Sequence, residues 1–173
     1  MPYDPTRHHR RSIRLPGYDY TQVGTYFVTI CTHKRRPCLA HIDPAGHTLT
    51  RIGQLVAHCW RALPAHFPHI ALDAWVVMPD HLHGIIVIQA DKHHVTRPEP
   101  TRQPNGTAPG SLPAIVQNFK SISTRKVNQA RRTPGAPLWQ RNYYERIIRD
   151  EQALQSVRRY IEANPARWAA GAR

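Results

Sequence analysis

Cysteine is scarce in this chain: Cys31, Cys38 and Cys59 are three among 173 residues, an odd number without the spacing of a redox pair or a zinc knuckle. That argues against a disulfide framework and against structural zinc, and leaves ordinary reduced thiols. Long apolar runs are missing too. None approaches the roughly 18 to 20 residues that span a bilayer, and Met1–Arg14 lacks the apolar centre of a signal sequence. Acidic residues are few: 11 Asp and Glu stand against 24 Lys and Arg, for a formal net charge of +13 and a pI near 10.5. Such an excess favours a polyanionic partner. The cations run along the whole chain and form no isolated amphipathic cationic helix, which favours nucleic acid over a membrane surface. The expectation is a soluble, cytoplasmic protein without a membrane partner.

With 40% apolar residues, the chain suits one domain with a real core. Residues 1–16, rich in Arg and His with little to bury, read as a mobile basic arm, and 17–173 as a single domain. Tyr26-Phe27-Val28-Thr29-Ile30 predicts a strand from about Thr25 to Thr32. Ile52, Leu55, Val56, Cys59 and Leu63 recur with helical period over Thr50 to Leu63, and Pro64 ends that helix. Ile70 to Met78 reads as a second strand, Pro79-Asp80 as a turn, and His81 to Gln89 as a third strand whose Ile85–Ile88 run implies a central position. Between about 90 and 113 the prolines and glycines leave no periodicity, which predicts a long loop that is disordered when free. Ser111 then caps a helix with Leu112, Ile115, Val116, Phe119 and Ile122 as its stripe. Tyr143 to Ile148 reads as a fourth strand, and a last helix runs from Asp150 to near Asn164-Pro165. The order is β-α-β-β-α-β and then α: an α+β, ferredoxin-like plan with an antiparallel sheet and a C-terminal helix.

The chemistry begins at Pro79-Asp80-His81-Leu82-His83. On a strand, His81 and His83 share one face while Leu82 points to the other. Two convergent neutral imidazoles make half of a metal site. With 12 histidines in the chain, a His-x-His arises about 0.8 times by chance, so context must carry the argument. Tyr160 and Asn164, four residues apart, lie on one helix face. If that helix crosses the face bearing the histidines, Asn164 supplies a third ligand and Tyr160 reaches a phosphate held there.

Four ordered blocks match one family. Ala74–His83, then Phe119-Lys120-Ser121, then Leu138-Trp139-Gln140-Arg141 with Tyr144-Glu145, and Arg159–Pro165 closely resemble the REP-associated tyrosine transposases, of the single-tyrosine HUH (His-hydrophobic-His) superfamily. The resemblance runs from about Leu15 to Trp168. It implies a ferredoxin-like fold, a divalent metal, and cleavage and rejoining of single-stranded DNA at repetitive palindromic hairpins through a covalent phosphotyrosine. By position it puts the metal pair on His81 and His83, the nucleophile on Tyr160 and the amide ligand on Asn164. The donor set argues for Mg²⁺ or Mn²⁺.

Arg35, Arg36, Lys120, Arg125, Lys126, Arg141 and Arg149 are candidates for DNA phosphate contacts, together with Arg131, Arg132 and Arg146, and Trp139 is a candidate stacking platform. Tyr143 and Tyr144 read as core or base-stacking aromatics. A competing expectation is a non-catalytic module that binds hairpin DNA or RNA on the same fold. Monomer and homodimer remain open, as does assembly of the site within one chain or by exchange of the Tyr160 helix.

Overall fold

Strand β1, Gly24–Cys31, sends Tyr26, Val28 and Ile30 into one apolar cluster and Phe27 into another, so the sheet around it must be covered on both faces. The computed structural model describes residues 17–43, 46–90 and 107–171. The expected basic arm, and residues 91–106 of the expected Pro-rich loop, lie outside the described residues.

After β1 come the hairpin β2 (Ala40–Asp43) and β3 (Gly46–Leu49), helices α1 (Arg51–Arg61) and α2 (Leu63–His66), and strands β4 (Ile70–Val77) and β5 (His81–Ile88). Helix α3 (Leu112–Arg131), strand β6 (Tyr144–Ile148) and helix α4 (Glu151–Ala169) complete the chain. The main sheet is antiparallel in the order β4-β5-β1-β6, the ferredoxin-like arrangement. Helices α1 and α3 bury Val56, Trp60, Ile115, Val116 and Phe119 against one face. On the other face, Val157 and Ile161 of α4 pack on Phe27, Ile85 and Ile148.

Local chemistry explains the helix starts. Thr50, Ser111 and Asp150 each accept a hydrogen bond from the backbone N–H three residues on, satisfying a donor that the first helical turn leaves open. Trp60 lies against the β5 backbone at Gly84, where a Cβ would collide with the indole, so glycine is required for that approach. Strand β4 carries a bulge between Leu72 and Trp75, which turns Ala74 and Val76 toward α4 and leaves Asp73 at the bulge. Asp73 receives two bonds from Arg158, Nε to Oδ1 at 2.9 Å and Nη2 to Oδ2 at 2.6 Å, tying the edge strand to α4.

Three details differ from expectation. The β2–β3 hairpin was not foreseen, because four-residue strands containing His41, Asp43, His47 and Thr48 show no apolar alternation. Helix α1 ends at Arg61, two residues before the expected Leu63, and Pro64 sits in the first turn of the unexpected short helix α2, where its missing N–H costs nothing. Helix α4 does not stop at Pro165 but continues to Ala169. Proline removes only the bond to the Ile161 carbonyl, and the next turn closes normally through the Ala170 N–H to the Ala166 carbonyl at 3.1 Å.

Candidate active site

Strand β5 places His81 and His83 on the α4 face, and Leu82 goes to the opposite cluster. Both imidazoles are buried, at 5% and 4% exposure. Their Nε2 atoms face each other 3.0 Å apart. Each ring is held from behind. The Nδ1–H of His81 donates to Asp80 Oδ1 at 2.6 Å, and Asp80 Oδ2 receives Arg35 Nε at 3.1 Å. His83 Nδ1 meets Thr29 Oγ1 at 2.8 Å, because β1 and β5 pair Thr29 with His83. Orientation of metal-binding histidines through their second nitrogen is the arrangement that fixes ring and tautomer.

Electrostatics keeps the pair neutral. Burial, then repulsion from His81 and Arg35, pushes the His83 imidazole down to about 3. Burial also lowers His81, opposed by its bond to Asp80. Since His81 gives its Nδ1–H to Asp80, its Nε2 presents a lone pair to His83, so the two nitrogens must share either a proton or a cation. Thr29 suits both states, because its hydroxyl donates to His83 Nδ1 in the first and accepts from it in the second.

The donor set fits a divalent cation. The converging Nε2 atoms of His81 and His83, 3.0 Å apart, would present two nitrogen donors to such a cation. Among the described residues no group of three His, Cys, Asp or Glu side chains is placed to hold a metal ion, and Asn164 would add an amide oxygen to the two imidazoles.

Helix α4 brings Tyr160 to the pair and carries Asn164 one turn further on. The Tyr160 ring lies 5.2 Å from that of His83 and 6.0 Å from that of Phe27, with 39% of the tyrosine exposed. Asn164, one turn on, is buried; its Nδ2 donates to the Tyr160 carbonyl at 3.2 Å, which leaves Oδ1 as an acceptor. Tyr160 therefore meets the histidine pair within one chain, and Asn164 follows one turn along the same helix. The extra turn past Pro165 adds Trp168, whose ring is 6.0 Å from His81, and Arg167, whose guanidinium sits 5.6 Å from the Tyr160 ring centre.

The expected DNA contacts divide into groups. Arg35 and Arg36 are exposed beside the histidines, Arg35 being already engaged with Asp80. Arg125 and Arg141 line a cleft of about 390 Å³ on the α3 side, and Lys126 is exposed on the same helix. Lys120 is not a free cation: its Nζ donates to the Gln140 and Arg141 carbonyls at 2.6 and 2.7 Å, and burial lowers its pKa. Trp139 is not a stacking platform. It is 6% exposed, packs on Phe119 and gives its Nε1–H to Ser123 Oγ at 2.9 Å, so its ring belongs to the core. Arg149 follows the end of β6 paired with Thr25, about six residues or 20 Å along β1 from the histidine end. Tyr144 is, with Tyr160, an exposed aromatic on the histidine face, at 51%, while Tyr143 packs on the core.

Sequence reading missed Thr29, Asp80, Arg167 and Trp168. Asp80 adjoins the motif and carried a local signal; Arg167 lies seven residues after Tyr160 and would have stood out had the helix been extended past Pro165. Thr29 carried no signal, because only strand register brings it to His83.

No family model matches the chain. A Haemophilus influenzae protein described as "Uncharacterized protein" is 39% identical over 171 residues, covering 96% of this chain and 93% of its own. Among solved structures, a REP-associated tyrosine transposase bound to a REP hairpin superposes with a TM-score of 0.60 at 20% identity, over 90% of this chain and 74% of that one. Among the described residues, no helix is long and apolar enough to cross a membrane. The chain belongs to the family of the Haemophilus influenzae protein, and its fold is that of the REP-associated tyrosine transposase.

Proposed function

We propose that this protein is a metal-dependent single-stranded DNA endonuclease and strand transferase, a transposase that acts at palindromic hairpins with Tyr160 as nucleophile. The observation that carries the reading is the junction of an exposed phenol, 5.2 Å ring to ring, with two neutral imidazoles whose Nε2 atoms converge at 3.0 Å. His81, His83 and Asn164 would hold the cation, Mg²⁺ or Mn²⁺. When bound, it supplies Lewis-acid polarisation of a non-bridging phosphate oxygen.

The chain's own residues do the rest. Phe27 and His83 border the Tyr160 ring and restrict its orientation, which favours a defined approach of its hydroxyl. Tyr160 Oη forms a bond to phosphorus, the P–O3′ bond breaks, the phenol proton is lost to solvent and the 3′-oxygen ends as a hydroxyl. The product is a 5′-phosphotyrosine. Attack of a 3′-hydroxyl on that ester reverses the step, so rejoining needs no ATP because phosphodiester energy is retained. The excess of 24 Lys and Arg over 11 Asp and Glu supplies a field that attracts the strand.

The test is incubation with a labelled single-stranded palindromic hairpin and Mn²⁺. A protein–DNA adduct that survives SDS is expected, and it should vanish in Tyr160→Phe. Cleavage without any adduct, or an adduct persisting in that variant, would remove the assignment.

A further inference from the structure

Helix α4 continues one turn past Pro165, and that turn places a cation on the nucleophile. Tyr160, Asn164, Arg167 and Trp168 stand at positions i, i+4, i+7 and i+8, one stripe of the same helix. Trp168 closes the stripe over His81 with its ring 6.0 Å away, so the turn is packed against the candidate metal pair. The Arg167 guanidinium lies 5.6 Å from the centre of the Tyr160 ring, on its face.

Two other cations near this face have occupations. Arg35 bonds Asp80 and the Cys31 sulfur, and Arg158 bonds Asp73. Arg167 is exposed and, among the described residues, makes no ion pair. Its planar fork of donors is therefore available over the ring whose hydroxyl would attack.

We infer that Arg167 is a further catalytic residue: its guanidinium binds a non-bridging oxygen of the phosphate under attack by Tyr160 and offsets the charge that builds there. The inference rests on the strand-transfer reading above. Phosphoryl transfer concentrates negative charge on the non-bridging oxygens as the Tyr160 Oη–P bond forms and P–O3′ breaks, and an oriented guanidinium stabilises that charge more than it stabilises the bound strand. In the covalent state the same group faces the phosphotyrosine diester, which keeps one negative charge. Lysine retains the charge but loses the fork, and glutamine loses both.

Arg167→Gln and Arg167→Lys are compared with the unaltered protein in single-turnover adduct formation on a labelled single-stranded hairpin oligonucleotide with Mn²⁺. Binding of the oligonucleotide and of Mn²⁺ alone is measured in parallel. The adduct rate should fall about 10- to 100-fold in Arg167→Gln and recover in part in Arg167→Lys, with oligonucleotide Kd within about threefold and Mn²⁺ affinity unchanged. A rate in Arg167→Gln within twofold of the unaltered protein overturns the inference, as does a loss of Mn²⁺ binding, which would make the turn a structural support of the histidines. A rate that falls only in proportion to oligonucleotide affinity also overturns it, since Arg167 would then be a strand anchor. Failure of the unaltered protein to form any adduct overturns the strand-transfer reading and this inference with it; a normal adduct with an unimpaired Arg167→Gln overturns this inference alone.

Discussion

Acid should unfold the metal-free protein through its histidine pair, and the size of the effect follows from the burial of His83. The perturbation is a shift from pH 7.5 to pH 4.5. An unfolded histidine titrates near 6.5, whereas burial, His81 and Arg35 hold the folded His83 at about 3. A folded-state pKa depressed below the unfolded one gives stability that is fully present above 6.5 and is lost as pH falls toward 3, because the unfolded chain takes up the proton first. At pH 4.5 about two of the 3.5 units separating the values have been traversed. At 1.36 kcal/mol per unit this is about 2 to 3 kcal/mol. Urea denaturation of the unaltered protein and of His83→Gln at both pH values isolates the contribution, since other groups titrate alike in both. The unaltered protein should lose about 2 to 3 kcal/mol more than the variant. Equal losses would show that His83 is not held neutral by burial, and the account of the pair as a ready cation site would fall with it.

The lowered histidine pKa values should blunt the acid sensitivity of Mn²⁺ binding: affinity measured by calorimetry should fall by clearly less between pH 7.5 and 5.5 than the about 100-fold that two ordinary histidines would cost over that interval. A full 100-fold fall would refute it. Gly84→Ala should destabilise the fold by about 1 to 3 kcal/mol in thermal or chemical melts, because the new Cβ enters the Trp60 indole; a variant as stable as the unaltered protein would show that the indole shifts freely.

The residues that meet at the site were legible because each belongs to a short repeat. His81 and His83 share a face by the period of a strand, and Tyr160 and Asn164 by the period of a helix. Sequence could not give the neighbours of those residues. Thr29 reaches His83 across 54 positions through the β1–β5 register, and Arg158 meets Asp73 across 85 through the β4 bulge. Misassignments followed the same line. Trp139 and Lys120 look like DNA-facing groups in a basic chain, yet Ser123 and the Gln140 and Arg141 carbonyls claim their polar atoms inside the fold. Pro165 reads as a helix end because proline lacks an N–H, but the packing of Trp168 at His81 accompanies one more turn.

By itself the sequence determined the four strands of the main sheet and the helices α1, α3 and α4, the apolar faces they bury, the capped start of α3, and the pairing of two imidazoles and of a phenol with an amide, since periods of 2 and 3.6 are written in neighbouring residues. The tertiary structure alone decided that α4 crosses the histidine face of its own sheet, that Asp80 and Thr29 orient the two rings, and that Arg167 stands on the Tyr160 ring. Those contacts depend on register, bulge and crossover between distant segments, and each is set by how whole apolar faces close on one another rather than by any local pattern.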